Sequence, residues 1–141
     1  MTPGFMSAVV DTLLPADHGV PPLPTGTAAG VATKLEHLVA GRDREIRDLV
    51  LPAIASTARG EDAFMRADAA GRIASVRQVE AEMPGPFQAL VALVLRDYYE
   101  AESVLLAMGW RTEPPQPQGH LLPPFDEALV EPVRRRGRMW R

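Results

Sequence analysis

The sequence predicts an all-α protein, a small bundle of four to five helices with an extended proline-rich C-terminal arm. Apolar residues recur three or four positions apart in five segments, and no alternating run bounded by turn residues indicates a strand. The 141 residues suffice for one modest core. Five of the fourteen prolines fall within residues 111–124, where they disfavour regular helix. We therefore expect a helical domain at residues 1–110 and an arm at residues 111–141.

The first two helices are predicted from the residues at their ends. An apolar segment at residues 5–14 is stopped by Pro15. Residues 15–24 are rich in proline and other turn residues, which predicts a loop. The second helix follows, with Thr27 as its expected N-cap and Gly41 at its C-cap.

The third helix is predicted over residues 43–58 and is ended by Gly60. Pro52 lies inside it and is expected to kink or split it. Phe64 and Met65 then stand alone, and we expect them to cover the core from a short turn. The apolar face of this helix is formed by Ile46, Leu49, Val50 and Ile54.

The fourth helix is predicted to start after the N-cap Asp68 and to break at the Pro-Gly-Pro of residues 84–86. The fifth, residues 87–108 with Gly109 as its C-cap, is the longest and most apolar, so we expect it at the centre of the bundle. Residues 126–133 are expected to add one last helical turn. The apolar face of the fourth helix is formed by Ile73, Val76, Val79 and Met83.

Composition excludes several classes of protein. No cysteine is present, so disulfides and cysteine-based metal or redox chemistry are excluded. The net charge of −3 argues against a general nucleic-acid binder. No apolar run approaches the roughly 20 residues of a membrane span, and no signal peptide is visible. We therefore expect a cytoplasmic protein, or a periplasmic one if it is exported together with its partner.

No catalytic motif is found, and we expect no cofactor or metal in this chain. His18, His37 and His120 lie far apart in sequence, and neither HExxH nor Glu-x-x-His occurs. Nucleotide-binding and serine-hydrolase motifs are absent. The sequence Asp17-His18-Gly19 is interpreted as a turn rather than as an acid–base pair. Five carboxylates are interpreted as solvated helix faces: Glu80, Glu82, Asp97, Glu100 and Glu102.

The region that begins with two tyrosines is predicted to bind a partner. Tyr98 and Tyr99 are adjacent on a helix, so one ring can enter the core while the other faces outward. Trp110 follows a helix end and is the kind of amphipathic anchor that is enriched in interfaces, the alternative being that it folds back on the chain's own last helix. Residues 114–119 favour polyproline II, which suits docking along a surface. In the arm we expect contacts from Pro114, Pro115, Pro117, Gly119 and His120.

Residues 134–141 hold five arginines, which leaves a net charge of −8 on the rest of the chain (−3 − 5). Arginine makes bidentate and stacking contacts, which suit an acidic or aromatic partner surface. Nonspecific contact with nucleic acid or lipid, and simple solubilisation, are the alternatives. The expected contacts in this segment are Arg134, Arg135, Arg136, Arg138 and Trp140.

Several short motifs resemble those of the small subunit of membrane-associated flavin dehydrogenases, the gluconate 2-dehydrogenase subunit 3 family. An early LLPAD at residues 13–17 precedes an Ala-Gly-Val at residues 29–31. A Phe-led apolar helix follows at residues 87–95. The Tyr98-Tyr99 pair is then followed by Gly109-Trp110 and by the proline-rich PPQPQG.

This resemblance implies a non-catalytic subunit of a heteromer. The large partner in that family is a flavoprotein of the glucose-methanol-choline type, which carries FAD, oxidises a sugar, sugar acid or polyol and passes electrons to a cytochrome or quinone. A cytochrome subunit is therefore a second candidate partner, and the small subunit stabilises or escorts the large one. Two alternatives stay open: an independent helical binding or regulatory module with a basic tail, and a small enzyme that uses one of its histidines.

Overall fold

A computed structural model describes residues 1–41, 45–113, 119 and 124–136. The prediction of an all-α protein is confirmed, since helices occupy most of this described chain. In chain order the elements are α1 (Pro3–Leu13), α2 (Val31–Gly41), a π-helical turn (Ile46–Val50), α3 (Leu51–Thr57), α4 (Glu61–Arg66), α5 (Ala69–Glu82), α6 (Pro84–Tyr99), α7 (Glu102–Ala107), a 3-10 turn (Glu127–Val130) and α8 (Glu131–Arg135).

The core lies where α6 meets α2, α5 and the π-helical turn, and where α1 packs against α2 and α4. The apolar side chains of these elements point inward because they recur at helical spacing. Phe5, Phe64 and Leu90 are fully buried. The rings of Phe5 and Phe64 pack edge to face with centroids 5.4 Å apart, which is a favourable aromatic geometry. Helix α6 therefore occupies the central position predicted for the fifth helix.

Thr27 does not cap α2. Its backbone N–H donates to Oδ1 of Asp11 at 2.8 Å, and its hydroxyl donates to the carbonyl oxygen of Ser7 at 3.3 Å. Both partners lie on α1, and α2 begins four residues later, at Val31. The prediction was wrong because the threonine ties the loop to α1 instead of capping its own helix.

Pro52 interrupts the helical ladder, as predicted. The backbone N–H of Leu51 donates to the carbonyl oxygen of Ile46, which is the five-residue bond of a π-helix. This wider turn shifts the buried face by one residue. Leu51 is therefore buried, while Leu49, which was predicted to face the core, is exposed. The predicted start at residue 43 lies outside the described residues.

Phe64 and Met65 do not project from an isolated turn, because they lie on α4, a short helix of their own. Gly60 separates it from α3, with φ at 122° and its N–H donating to the carbonyl oxygen of Ala55 at 2.7 Å. The predicted end at Gly60 is confirmed. The prediction of a turn was wrong because the six residues of α4, between Gly60 and the extended Ala67, are too few to show the spacing of apolar residues that identifies a helix.

Helix α5 begins where predicted, since the side chain of Asp68 accepts a hydrogen bond from the N–H of Gly71 at 2.8 Å. Val76 and Val79 are buried against the bundle. Ile73 is exposed, so its place on the apolar face was wrong. The helix packs mainly on α3 and α6.

Residues 87–108 are not one continuous helix, which corrects the sequence prediction. Helix α6 starts earlier, at Pro84, because proline fits the first turn of a helix. It ends at Tyr99, and the buried Ala101 is extended (φ −70°, ψ 129°) before α7 begins. The C-cap at Gly109 is confirmed by its left-handed φ of 77°. The final helical turn is also confirmed, and extends through α8.

Candidate docking surface

The two adjacent tyrosines have different environments. Tyr98 is buried, and its hydroxyl donates to the carbonyl oxygen of Pro24 at 2.7 Å. Burial, followed by the proximity of Tyr99 and Asp17, raises the pKa of Tyr98. Tyr99 is 51% exposed, and its ring meets that of Tyr98 edge to face at 5.5 Å. The expectation that one ring enters the core while the other faces outward is confirmed, with Tyr98 holding the loop and Tyr99 available to a partner.

Trp110 projects from the end of α7 into solvent. Its backbone N–H donates to the carbonyl oxygen of Leu105 at 2.9 Å across Gly109, so the backbone at this residue is fixed. The indole nevertheless remains 63% exposed. Leu106 and Met108 on the same helix end are exposed as well. The end of α7 therefore presents a tryptophan and two aliphatic side chains that the bundle does not cover.

Beyond Trp110 the chain turns back toward the start of α7. The hydroxyl of Thr112 donates to Oε1 of Glu102 at 3.3 Å. Gly119 is exposed and adopts a left-handed φ of 70°, which favours glycine. Four further predicted contacts in the arm lie outside the described residues: Pro114, Pro115, Pro117 and His120.

The C-terminal helical unit, residues 124–136, carries part of the predicted arginine cluster. Its arginines, Arg134, Arg135 and Arg136, are exposed, and the first two lie 3.9 Å from the carboxylate of Glu131. Arg138 and Trp140 lie outside the described residues.

Sequence reasoning missed three apolar residues of this unit: Phe125, Leu129 and Val133. Leu129 and Phe125 are each 72% exposed, and Val133 is 60% exposed. Phe125 precedes the N-cap Asp126, Leu129 lies in the 3-10 turn and Val133 lies on α8, so their apolar character was the only signal that could have identified them.

Exposed apolar side chains are concentrated in the later part of the chain. Of twelve large apolar side chains that are exposed among the described residues, eight lie at residue 95 or beyond. Single exposed apolar residues are ordinary on a protein surface, but these eight are close in sequence and include Tyr99 and Trp110, of the residue types enriched in interfaces. We call residues 95–136 the docking region.

The candidate catalytic histidines are not brought together in the described structure. His18 is exposed in a loop and His37 is exposed on α2, while His120 lies outside the described residues. Asp17 Oδ1 accepts a hydrogen bond from the N–H of Gly19 at 3.0 Å, so the interpretation of this segment as a turn is confirmed. Within the described residues, no group of three His, Asp or Glu side chains is arranged to hold a metal ion.

Of the five carboxylates interpreted as solvated, four are exposed as expected: Glu80, Glu82, Glu100 and Glu102.

Asp97 is buried, which corrects its interpretation as a solvated carboxylate. Asp97 lies on the buried side of α6, in register with Leu90 and Val94. Its Oδ1 accepts a hydrogen bond from Arg96 at 3.1 Å, whereas Oδ2 has no hydrogen-bond partner among the described residues. An open cleft of about 420 Å³ beside it is lined by Lys34, His37, Arg96, Asp97 and Glu100. Its charges nearly balance, so it favours neither an anion nor a cation.

Within the part of the chain that the structure describes, no helix is both long enough and apolar enough to cross a bilayer. A scan against protein-family models finds no match, and searches of curated proteins and of solved structures find none either.

Proposed function

We propose that this chain is the non-catalytic small subunit of an FAD-dependent dehydrogenase of the glucose-methanol-choline type. It binds the large flavoprotein subunit and stabilises or escorts it. The FAD and the oxidation of a sugar, sugar acid or polyol belong to that partner, which passes electrons to a cytochrome or quinone. The complex lies in the cytoplasm, or in the periplasm if both chains are exported together.

The observation that carries this proposal is the contrast between a complete core and an uncovered docking region. Among the described residues the core cluster has no member beyond Val104, and Phe5, Phe64 and Leu90 within it are fully buried. Tyr99 and Trp110 are large side chains of the kind that dominate binding energy in interfaces, and both are exposed. The short motifs that resemble the gluconate 2-dehydrogenase small subunit direct the choice of partner toward a flavoprotein.

Co-expression with a glucose-methanol-choline type large subunit from the same genome tests the proposal. We expect one complex in size-exclusion chromatography with light scattering, with flavin absorbance in the same peak. We also expect more soluble flavin-loaded large subunit than when that subunit is expressed alone. Two separate peaks, together with an unchanged yield of flavin-loaded large subunit, would refute the proposal.

A matched pair of variants locates the contact. Trp110→Ala removes a 63% exposed ring at the end of α7, and we expect it to weaken the complex by about tenfold or more, as for an interface anchor. Leu49→Ala removes a 52% exposed side chain from the bundle surface and serves as the control. Equal effects of the two variants on the dissociation constant would exclude Trp110 as an anchor.

A second candidate function is an independent binding module with a basic tail. The exposed run from Arg134 to Arg136 favours it. It predicts that the isolated chain binds duplex DNA or anionic vesicles at physiological salt, whereas the subunit proposal predicts binding only to the flavoprotein.

A further inference from the structure

Asp97 is the one buried charged residue in the described part of the chain, and it lines the open cleft beside α2 and α6. Its Oδ1 accepts a hydrogen bond from Arg96. Its Oδ2 is shielded from water and has no hydrogen-bond partner among the described residues. A buried carboxylate oxygen without a donor is costly, and native proteins leave few such atoms unpaired. The oxygen therefore points to a donor that a ligand supplies.

The cleft has one basic wall and one acidic wall. Lys34 and His37 lie three residues apart on α2, so they share one side of that helix. Asp97 and Glu100 lie three residues apart at the C-terminal end of α6, which packs against α2. The cleft therefore presents hydrogen-bond donors on one side and carboxylates on the other.

The charges of the two walls do not neutralise each other by direct contact. Among the described residues, neither Lys34 nor Glu100 forms an ion pair. Arg96 lies 3.1 Å from Oδ1 of Asp97, but its side chain is 54% exposed. Exposed side chains change rotamer readily, so Arg96 can turn away from Asp97 and toward a ligand.

We infer that this cleft binds a zwitterionic α-amino acid. Asp97 and Glu100 hold the ammonium group at the C-terminal end of α6, where the helix dipole also favours positive charge. Lys34 and the rotated Arg96 hold the carboxylate through charge-assisted hydrogen bonds. The ligand thereby supplies the donor that Asp97 lacks. The inference does not depend on the proposed function, because all the lining residues belong to this chain.

Three simpler ligands fit the cleft less well. A metal ion would lie beside the cationic Lys34 and Arg96, and no group of three His, Asp or Glu side chains in the described structure is arranged to hold one. A simple anion would be repelled by Asp97 and Glu100, and a simple cation by Lys34 and Arg96. A ligand that carries both charges, separated by a few atoms, meets an opposite charge on each wall.

The test is an NMR titration of the full chain with L-alanine, L-glutamine and L-leucine, which share the zwitterion and differ in side chain. We expect saturable shifts of the amide signals of α2 and of the end of α6. The dissociation constant should be about 1 mM or below for at least one of the three. The amide and the N-acetyl derivative of that amino acid each lack one charge, and each should bind about tenfold more weakly or worse.

Matched substitutions assign the two walls. Lys34→Gln and Glu100→Gln each remove one exposed charge and should raise the dissociation constant about threefold or more. Arg77→Gln and Glu80→Gln remove the same kinds of charge from exposed positions on α5 and should leave it unchanged. Asp97→Asn should raise it about tenfold or more, because a charge-assisted hydrogen bond is lost. Thermal unfolding followed by circular dichroism verifies that the variants remain folded.

Contrary results overturn the inference in distinct ways. No saturable shift with any of the three amino acids would exclude the site. Equal binding of the amide derivative would make the cleft a cation site, and equal binding of the N-acetyl derivative would make it an anion site. Unaltered affinity in both Lys34→Gln and Glu100→Gln would place the ligand elsewhere, even if Asp97→Asn failed to fold.

Discussion

The bundle and the C-terminal helical unit use the same apolar residue types, yet with opposite exposure. Phe64 and Leu90 are fully buried, whereas Phe125 and Leu129 are 72% exposed. In the bundle, each apolar face meets another face of the same chain. The C-terminal unit carries apolar side chains that the described residues leave exposed. The position of apolar residues in the sequence therefore predicts which side chains are suited to burial. It does not predict whether the surface that buries them belongs to the same polypeptide.

The largest loss of stability is expected from a substitution in the core of the bundle. Phe64→Ala removes a fully buried ring that packs on Phe5 at 5.4 Å, and should lower the free energy of unfolding by about 3–5 kcal/mol. Urea unfolding followed by circular dichroism measures it. A loss below about 1 kcal/mol would mean that the core around α1 and α4 is not packed as described.

Gly26→Ala tests how closely the loop approaches α1. A Cβ at Gly26 would collide with the side chain of Val10 and come within 3.1 Å of Leu14. We expect a loss of about 1–3 kcal/mol in the free energy of unfolding, the usual cost of overpacking. Gly85→Ala is the matched control, because no atom lies within 4 Å of its new Cβ. That variant should be neutral or stabilising by up to about 1 kcal/mol.

Tyr98→Phe tests the hydrogen bond that fastens the loop to α6. Loss of the hydroxyl leaves the carbonyl oxygen of Pro24 without its donor and should cost about 0.5–1.5 kcal/mol in urea unfolding. Tyr99→Phe, at the exposed neighbour, should change stability by less than about 0.5 kcal/mol. Equal losses of unfolding free energy in the two variants would show that the hydroxyl of Tyr98 does not stabilise the fold more than that of Tyr99.

Glu61 provides a pH-dependent contribution at the N-terminal side of the bundle. The N–H and the hydroxyl of Thr2 both donate to its Oε2 at 2.8 Å. The backbone N–H is the main reason that the pKa of Glu61 is lowered from its ordinary 4.5. A lowered folded-state pKa means that the stabilisation is fully present above pH 4.5 and is lost as the pH falls through the folded value.

Glu61→Gln should therefore cost less than about 1 kcal/mol at pH 7, because the group is partly solvated. The difference from wild type should shrink as the pH falls below 4.5. Urea unfolding at pH 7, 5 and 3 measures this trend, with the exposed Glu80→Gln as control. If the difference in unfolding free energy between wild type and Glu61→Gln grew as the pH fell, the pKa of Glu61 would not be lowered in the folded state.

The smallest loss of stability is expected from a substitution in the exposed C-terminal helical unit. Phe125→Ala in the free chain should change the free energy of unfolding by less than about 0.5 kcal/mol, because its ring is already in water. Phe64→Ala makes the same chemical change at a buried site, so the pair isolates burial from residue type. Destabilisation by Phe125→Ala above about 1 kcal/mol would place this ring against the bundle.

Local chemistry predicted the helix ends that depend on a single residue. Asp68 caps α5, and Gly109 ends α7, because each satisfies backbone groups within its own turn. The break at Ala101 was not predictable in this way, since no glycine or proline marks it. Burial of Ala101 accompanies the break, which indicates that packing rather than local propensity decides it.

The docking region was predictable only in part, because residue type alone does not show which side chains the fold leaves exposed. Tyr99 and Trp110 stand out by residue type, and their exposure agrees with their proposed role. Leu129 and Val133 are ordinary residues among prolines and arginines, so their exposure became evident only in the structure. Asp97 was misjudged because a carboxylate on the inner register of α6 is indistinguishable by sequence from one on its outer face.

The loop at residues 17–23 closes on itself, since Asp17 and Leu23 exchange two backbone hydrogen bonds of 3.2 and 3.0 Å. Val20 at its tip has no contact with the bundle and is fully exposed. Exposed loop tips of this kind tolerate inserted sequence. An epitope or fluorophore placed beside Val20 would therefore label this chain for tests of the proposed complex while leaving Thr2, Glu61 and the docking region unmodified.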